Sequence, residues 1–254
     1  MSPLFTIITS TYNAAEVLPG LLDSLASQTY CDYQWIIQDG ASSDNTVEVA
    51  RSYAEKIPQM SIESAPDSGI YNAWNNALAR IEGEWVLFLG ADDAFMREDS
   101  LEQLAAFIQE VPVDDVAYIA SDVMLGSRLL QAEVPLTNKL KRQMTLPHQG
   151  LLHRSSLFKT NTFLDSYKIA GDYDFLVRTL TYGKVIKYPQ VVSRMGEGGV
   201  SQQWCFKSQM HREYLSIVYK HFGLRFSIGS PFAKFLFSST FSFFQRFLSC
   251  RQYL

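Results

Sequence analysis

Two adjacent aspartates, Asp92 and Asp93, follow a short apolar segment and could together bind a divalent metal ion. The segment 84–89 is mostly large and apolar and is flanked by glycines, which predicts a strand buried on both faces of a sheet. Two carboxylates side by side are costly to hold without a positive charge, and Mg²⁺ or Mn²⁺ prefers carboxylate and phosphate oxygens as ligands. The alternative is that Asp92 or Asp93 caps the next helix.

Polar side chains also follow the three predicted strands that precede this one. Ligands of open α/β sheets bind beyond the carboxyl ends of the strands, so these residues are candidates for binding a nucleotide. They are Ser10, Thr11 and Tyr12 after the first strand, Asp39 after the second, and Asp67 in the turn after the third. Asp39 could accept a hydrogen bond from a ribose or a base, and Tyr12 could stack on a base. The glycine patterns of dinucleotide sites and of P-loops are absent from the sequence.

The segment 170–178 is a second candidate site for catalysis. If this segment forms a helix, Asp172 shares a face with Phe175 and points inward, where a carboxylate could take up a proton. Asp174 lies on a different face, four residues before Arg178, and this spacing predicts a surface ion pair. Helical geometry therefore separates one candidate catalytic aspartate from one surface aspartate.

The elements that must position these residues alternate regularly over the first 95 residues. Strands predicted at 4–9, 33–38, 60–64 and 84–89, the first and last of them buried, are separated by helices whose apolar residues recur at helical spacing. The order β-α-β-α-β-α-β predicts an α/β fold with a mostly parallel sheet, right-handed crossovers and helices on both faces. The later segments predicted are a helix at 99–109, strands at 116–120, 121–134 (with a turn at Gly126) and 151–153, and a long helix at 202–221.

Composition limits the class of protein. The chain of 254 residues carries a net charge of −4, which argues against nucleic acid as the main partner. Its three cysteines have no metal-type spacing, and we interpret them as reduced thiols of a cytosolic protein. A basic region followed by a long apolar run is absent at the amino terminus, so no signal peptide is predicted.

Four motifs occur in a characteristic order along the chain. They are Ser10-Thr11-Tyr12-Asn13, Asp39-Gly40-Ala41-Ser42-Ser43-Asp44, Asp67-Ser68-Gly69-Ile70-Tyr71-Asn72-Ala73 and Gly90-Ala91-Asp92-Asp93. From about residue 4 to about residue 201 the chain resembles family 2 glycosyltransferases with the GT-A fold, which is Rossmann-like. It is most similar to bacterial enzymes that build O-antigen, capsule or colanic-acid polysaccharide. The resemblance implies that the first two motifs and Asp67 hold the nucleoside and that Asp93 binds Mn²⁺ or Mg²⁺ at the diphosphate. It leaves the role of Asp92, ribose or metal, open.

Asp172 matches the catalytic aspartate of the family, and the resemblance implies an inverting transfer in which this residue deprotonates the acceptor hydroxyl. Gly171 stands where the family often has a glutamate, so any acceptor contact made by that glutamate is missing. The implied donor is a nucleotide-diphosphate sugar, with UDP-sugars favoured, and the implied acceptor is a saccharide on a polyprenyl-diphosphate lipid. The alternatives are a nucleotidyltransferase, which usually has a glycine-rich basic loop near its amino terminus, and a non-catalytic nucleotide-sugar-binding protein.

Two further segments resemble parts of the family. His148 and Gln149 are similar to a His-Gln pair that precedes the acceptor-side segment, although a histidine beside a strand is usually a structural residue. The segment 196–201 resembles a Gly-Gly-Val-Ser sequence near the donor phosphates, which makes Gly199 and Ser201 candidates for the phosphate side. The alternative for this segment is an ordinary connecting loop.

The segment 222–254 differs in composition from the rest of the chain. It contains nine of the 17 phenylalanines, and no acidic residue follows Glu213. Such a composition predicts a segment at a membrane surface, with phenylalanines buried and basic residues near anionic headgroups. The alternative is a pair of helices packed on the catalytic domain. We therefore expect a GT-A domain at 1–221, divided near residue 95 into nucleotide-binding and acceptor-side halves. The helical tail would make the protein peripheral at the inner face of the bacterial cytoplasmic membrane.

Overall fold

The computed structural model describes residues 2–197, 207–228 and 230–231, and the strands of this part of the chain form one nine-stranded sheet. The strands are β1 (Phe5–Thr11), β2 (Tyr33–Asp39), β3 (Met60–Ser64), β4 (Trp85–Phe88), β5 (Ala94–Phe95), β6 (Val116–Leu125), β7 (Arg128–Leu130), β8 (Leu151–Arg154) and β9 (Lys184–Met195). The α-helices described are α1 (Leu18–Ala26), α2 (Thr46–Arg51), α3 (Ile70–Leu78), α4 (Ser100–Glu110), α5 (Gly171–Thr179), α6 (Lys207–Phe222) and α7 (Leu224–Ile228). Short 3₁₀ helices lie at His148–Gly150, Ser155–Lys159 and Leu180–Tyr182.

The sheet has a parallel half and a mixed half. Its strand order is β3-β2-β1-β4-β8-β6-β9-β5, and β7 pairs with β6 beside this path. The first four strands of this order run parallel to one another. In the other half, β8 is antiparallel to both β4 and β6, whereas β9 runs parallel to β6. The parallel half therefore collects the carboxyl ends of β1 to β4 at one edge.

Apolar side chains cover both faces of the sheet. Successive residues of a strand point to opposite faces, so Ile7 belongs to one hydrophobic core and Ile8 to the other. The first core includes the buried faces of α1, α2 and α4, and the second includes those of α3, α5 and α6. The central strands β1, β2 and β4 are enclosed on both sides and bury nearly all their side chains, which explains why their sequences are rich in apolar residues.

The predicted α/β fold is confirmed, and the first four strands begin and end within two residues of their predicted positions. The strands predicted at 116–120 and 121–134 are instead one strand, β6, followed by a turn and β7. Gly126 makes this turn with a φ of 55°, a conformation that favours glycine. Strands β5 and β9 were not predicted, because β5 has two residues and β9 mixes exposed and buried positions without a regular period.

The carboxyl-terminal part of the chain is described only partly. Helix α6 is described from Lys207 to Phe222, whereas the predicted start of this helix at 202–206 lies outside the described residues. Most of the phenylalanine-rich segment, residues 232–254, lies outside them as well. In the part of the chain that the structure covers, no helix combines the length and the apolar character needed to span a bilayer.

Candidate active site

Asp39, the last residue of β2, is completely buried, and its carboxylate accepts four hydrogen bonds. Thr11 Oγ1 and Ser64 Oγ donate from the ends of β1 and β3 at 2.8 and 2.7 Å. Ser42 donates through its backbone N–H and its hydroxyl. Burial alone would raise the pKa of Asp39, but these hydrogen bonds outweigh burial and lower the pKa. Asp39 and Thr11 thus join three strand ends, and their contact with a nucleoside stays a prediction.

Tyr12 and Asp67 lie beside this cluster, on either side of Gly40. A Cβ built on Gly40 would lie 2.7 Å from Asp67 Oδ2 and 3.4 Å from Tyr12 Cδ2, so a larger residue here would require the Asp67 carboxylate to move. Tyr12 is 69% exposed, and Asp67 Oδ1 accepts a hydrogen bond from the backbone N–H of Gly69 at 2.8 Å. With the half-buried Ser10 of β1, these residues form a surface on which a base could stack and a ribose could hydrogen-bond.

Asp93 lies buried beside the half-buried Asp92, just beyond the carboxyl end of β4. The two carboxylate oxygens of Asp93 accept backbone N–H groups from Gly90 at 2.6 Å and from Gly196 at 3.1 Å. Burial raises the pKa of Asp93 to about 7, and the charge of Asp92 adds to this shift. Strand β5 follows directly, and the next helix begins only at Ser100. The alternative that Asp92 or Asp93 caps this helix is therefore wrong.

The donor set at Asp92 and Asp93 fits a hard divalent cation. A buried carboxyl group with a raised pKa is one that a nearby cation would return to its charged form. Among residues 2–197, 207–228 and 230–231, no cluster of three or more His, Cys, Asp or Glu side chains could hold a metal alone. Mg²⁺ sites that use one or two carboxylates together with substrate phosphates need no such cluster.

Asp172 lies in the first turn of α5 and keeps part of its surface exposed. Its Oδ1 accepts a hydrogen bond from the Tyr71 hydroxyl at 3.3 Å. Burial raises the pKa of Asp172 to about 6, so the carboxylate is ionised near neutral pH and is more basic than an ordinary aspartate. Gly171 packs on the Tyr71 ring, where a built Cβ would lie 2.8–2.9 Å from three ring carbons. The ring of Tyr71 therefore fills the space that a larger side chain at position 171 would need.

The contact between Tyr71 and Asp172 joins α5 to α3, the helix that begins within the third motif. Tyr71 belongs to the first turn of α3, and α3 follows the carboxyl end of β3. Asp172 is therefore brought to the same edge of the sheet as Asp93, although almost eighty residues separate the two in sequence. This edge combines a carboxylate suited to a cation with one suited to a proton.

Asp174 is fully buried, so the prediction of a surface ion pair was wrong about its environment. Arg178 Nε does contact Asp174 Oδ2 at 2.7 Å, as the spacing predicts. The other oxygen, Oδ1, lies 2.9 Å from His221 Nε2 and 3.6 Å from Lys220 Nζ, both in α6. Burial alone would raise the pKa of Asp174, but the hydrogen bonds from His221 and Arg178 lower it below 3.8. Helix α6 covers this face of α5, and the periodicity of α5 alone does not show that.

His148 and Gln149 form the short helix before β8. The His148 ring is buried, with its centroid 5.0 Å from the Trp74 ring and 5.3 Å from the Phe88 ring. Neither of its nitrogens has a hydrogen-bond partner among the residues that the structure describes. Burial, with a smaller contribution from a neighbouring histidine, lowers the pKa of His148 well below its ordinary value. Gln149 is half-buried, and its backbone carbonyl accepts a hydrogen bond from the Ser193 hydroxyl at 2.7 Å. A role for either residue on the acceptor side stays a prediction.

Gly199 and Ser201 lie outside the described residues, so their predicted role on the phosphate side is not tested by the geometry. Two residues with direct connections to the site were not singled out from the sequence. Tyr71 could have been found, because it lies within the third motif, next to Gly69 and Ile70. Glu213 had only one signal, which is that it is the last acidic residue of the chain.

The mixed α/β fold with its mostly parallel sheet is that of the GT-A glycosyltransferases. The family model "Glycosyl transferase family 2" matches residues 6–156, which is more than half of the chain. The chain belongs to glycosyltransferase family 2, and the predicted family is confirmed. Family membership favours glycosyl transfer over the alternative of nucleotidyl transfer.

Relatives of the chain are named as glycosyltransferases. The "PGL/p-HBAD biosynthesis glycosyltransferase" of Mycobacterium bovis is 34% identical over 195 residues, which cover 75% of this chain and 75% of the relative. The poly(ribitol-phosphate) β-N-acetylglucosaminyltransferase TarS of Staphylococcus aureus is 30% identical over 186 residues, which cover 68% of this chain but only 32% of TarS.

Solved structures confirm the fold. Residues 1–349 of S. aureus TarS in complex with UDP-GlcNAc superpose with a TM-score of 0.69 at 21% identity, covering 85% of this chain and 66% of that chain. The mannosyltransferase PcManGT of Pyrobaculum calidifontis, in complex with GDP-Man and Mn²⁺, gives a TM-score of 0.66 at 19% identity and covers 87% of this chain and 64% of its own. At these identities the likeness shows the GT-A fold alone.

Proposed function

We propose that the protein is an inverting, metal-dependent hexosyltransferase that moves a sugar from a nucleotide-diphosphate donor to a saccharide acceptor in cell-surface polysaccharide biosynthesis. The observation that carries the proposal is the contact between Tyr71 and Asp172 at the sheet edge where Asp93 also lies. The UDP-GlcNAc bound to TarS supports a UDP-sugar as the donor. The name of TarS, a poly(ribitol-phosphate) β-N-acetylglucosaminyltransferase, supports a polyhydroxylated acceptor, of which a saccharide is one kind.

Asp172 is the general base in this proposal. As the diphosphate departs, the anomeric carbon gains positive character, as in glycoside hydrolysis. The acceptor hydroxyl attacks from the opposite face and must lose its proton, which Asp172 takes up. A carboxyl group with a pKa of about 6 is ionised at neutral pH and still basic enough to accept that proton. Attack from the face opposite the leaving group inverts the configuration of the sugar.

The remaining residues of the sheet edge bind the donor. Asp93, with Asp92 beside it, would hold Mn²⁺ or Mg²⁺, and such an ion neutralises charge on the diphosphate. The exposed ring of Tyr12 stacks on the base, and Asp67 hydrogen-bonds the nucleoside. The other donor-side residues are Ser10, Thr11 and Asp39, which shape the surface between the ends of β1, β2 and β3.

A donor panel tests this proposal. UDP-, GDP- and dTDP-sugars are screened by thermal shift with and without Mn²⁺, and release of the nucleoside diphosphate is then measured with oligosaccharide acceptors. We expect a UDP-sugar to raise the Tm in a metal-dependent way and NMR to show an inverted anomeric configuration in the product. A product with retained configuration would contradict the role given to Asp172. Pyrophosphate release from a nucleoside triphosphate would indicate a nucleotidyltransferase, and binding without turnover would indicate a binding protein.

We also propose that the acceptor is carried by a polyprenyl-diphosphate lipid and that segment 222–254 contacts the inner face of the cytoplasmic membrane, beside a catalytic domain at 1–221. The nucleotide-binding half would end near residue 95.

Lys141 Nζ and the Arg142 guanidinium lie 5.4 and 5.9 Å from the ring centroid of Phe226, and the neighbouring Leu224 is 61% exposed. These basic groups and the exposed Leu224 suit an anionic lipid surface, although Phe226 itself packs against the second core. In a flotation assay the full-length protein should rise with anionic vesicles at low salt and not with neutral vesicles. Protein that stays at the bottom with anionic vesicles would show that the segment packs on the domain.

A further inference from the structure

Glu213 of α6 binds the segment that leads into α5. Its Oε1 accepts the backbone N–H of Lys168, and its Oε2 accepts those of Ile169 and Ala170, all at 2.9 Å. Three successive backbone N–H groups form a concave site that suits an anion. Gln209 Nε2 adds a fourth donor at 3.0 Å from Oε1. One carboxylate of α6 therefore satisfies three backbone donors directly before the helix that carries the proposed base.

Helix α6 also holds α5 at two other places. The Tyr214 ring stacks on the Tyr173 ring, with centroids 5.1 Å apart, and His221 hydrogen-bonds Asp174. The segment bound by Glu213 touches the donor side as well, because Lys168 Nζ donates to the carbonyl of Ser68 at 2.8 Å. The backbone before α5 is thus fixed between α6 and the turn that contains Asp67.

Tyr71 of α3 also restricts the position of Asp172. The Tyr71 hydroxyl binds its Oδ1, and the Tyr71 ring packs on the backbone of Gly171. A shift of residues 168–170 away from α6 would therefore move Asp172 relative to Tyr71 and to the sheet edge. Displacements of about 1 Å are enough to lower turnover by about 10²-fold, because proton transfer needs a well-aligned acceptor.

We propose that Glu213 is a positioning residue, which anchors residues 168–170 to α6 and so holds Asp172 in place for proton transfer. The inference rests on the proposed function, in which Asp172 is the general base. Glu213 acts through the backbone, since its carboxylate is engaged with the N–H groups of this segment and with Gln209.

The groups around Asp172 predict that two substitutions will shift its pKa in opposite directions. Among the described residues, the titratable groups facing Asp172 are Tyr71 of α3 and Glu213 and Tyr214 of α6. Burial raises the pKa of both tyrosines well above the ordinary value, so both stay neutral. Next to the dominant effect of burial, the Tyr71 hydrogen bond lowers the pKa of Asp172 and the charge of Glu213 raises it. Loss of the Glu213 charge should lower the pKa of Asp172, and loss of the Tyr71 hydroxyl should raise it.

The test compares Glu213→Gln, Tyr71→Phe and Asp165→Asn in the full-length chain. Asp165→Asn is the matched control, because it removes one charge from an exposed position of the same connecting segment. UDP release from the UDP-sugar selected by the donor panel is measured with Mn²⁺ over a range of pH, together with thermal-shift affinity for UDP. For Glu213→Gln we expect kcat to fall by about 10- to 100-fold, with UDP affinity kept and the acid limb moved to lower pH. Tyr71→Phe should move the acid limb to higher pH, and Asp165→Asn should behave like the wild type.

Hydrogen exchange adds a readout that needs no substrate. The amides of residues 168–170 should exchange faster in Glu213→Gln, because their acceptor is weakened. A Glu213→Gln protein with a lower Tm but with wild-type kcat and acid limb would overturn the proposal, since that is the behaviour of a merely structural residue. If this variant does not fold, Glu213→Asp keeps the charge but shortens the reach, and wild-type kcat in that variant would overturn the proposal. Failure of the proposed function is a separate result, in which Asp172→Asn keeps its turnover.

Discussion

The carboxyl edge of the parallel strands and the helix α5 each carry two aspartates whose pKa values are shifted in opposite directions. At the strand ends the pKa of Asp93 is raised and that of Asp39 is lowered. In α5 the pKa of Asp172 is raised and that of Asp174 is lowered. A buried carboxylate with enough donors is satisfied by the protein and becomes part of its framework. One with too few donors stays available to a cation or a proton, and such groups cluster at functional sites.

The two regions differ in how they satisfy the framework aspartate. Asp39 receives only neutral donors, from the hydroxyl groups of Thr11, Ser42 and Ser64 and from the backbone N–H of Ser42. Asp174 is paired with Arg178 in its own helix and with His221 and Lys220 of α6. Removing one partner of a buried ion pair leaves an uncompensated charge, whereas losing one of several neutral hydrogen bonds costs less. The comparison therefore predicts that replacing Asp174 in α5 lowers the stability of the fold more than removing one hydrogen-bond donor to Asp39.

The largest effect is expected at the strand ends, for the carboxylate with the raised pKa. Asp93→Asn should abolish transfer and the metal-dependent part of donor binding while leaving the fold intact, because a hard cation needs this charged oxygen ligand. Sugar transfer and the Mn²⁺-dependent shift in Tm with UDP are the measurements, with the exposed Glu98→Gln as the control. Full activity in EDTA would contradict a metal-binding role for Asp93.

Asp172→Asn should lower kcat by about 10²- to 10⁴-fold, the range expected for loss of a general base, with UDP affinity nearly unchanged. The Tm should change little, because the amide relieves the cost of burying a charge. In the wild type, turnover should fall on the acid side as the pH drops through about 6, where Asp172 becomes protonated. A larger loss of turnover in folded Asp174→Asn than in Asp172→Asn would reverse the roles of the two residues.

Asp174→Asn should lower the free energy of unfolding at pH 7 by about 2 to 3 kcal/mol, because Arg178 and the partly exposed Lys220 lose their buried anionic partner. The folded-state pKa of Asp174 lies below its ordinary value of 3.8. The stabilisation is therefore present above pH 4 or so and lost as the pH falls through the folded-state pKa. Urea unfolding at several pH values should show the difference between wild type and variant shrinking in acid. A difference that is constant with pH would show that packing, and not the ion pairs, is responsible.

The smallest effect is expected around Asp39. Thr11→Val removes one buried donor without changing the shape of the side chain and should cost about 1.5 kcal/mol of unfolding free energy. Ser64→Ala should cost less, because Ser64 is exposed and water can replace its hydroxyl. Urea unfolding at pH 7 measures both variants. A loss at Thr11 as large as that of Asp174→Asn would remove the distinction between the two regions.

Local sequence determined most of the first half of the molecule. Apolar runs such as the one ending at Leu89 can be stable only when both faces are covered, so they predicted the buried parallel strands. The alternation of strands and helices then required the carboxyl ends of β1 to β4 to share one edge. That is why Tyr12, Asp67 and Asp93 were correctly predicted to lie along this edge, from spacing and residue type alone.

Tertiary structure decided what each carboxylate does. Periodicity shows which residues of α5 share a face, but α6, more than thirty residues later, decides that the face of Asp174 is buried. The same helix supplies Glu213 to residues 168–170, a contact that no local pattern encodes. Strand β9 likewise exists because β6 and β5 offer it partners, not because its own residues alternate. Hydrogen bonds and burial depend on neighbours that are distant in the chain, so the pKa of an aspartate follows from the folded structure, whereas its position at the end of a strand or in a helix follows from the sequence.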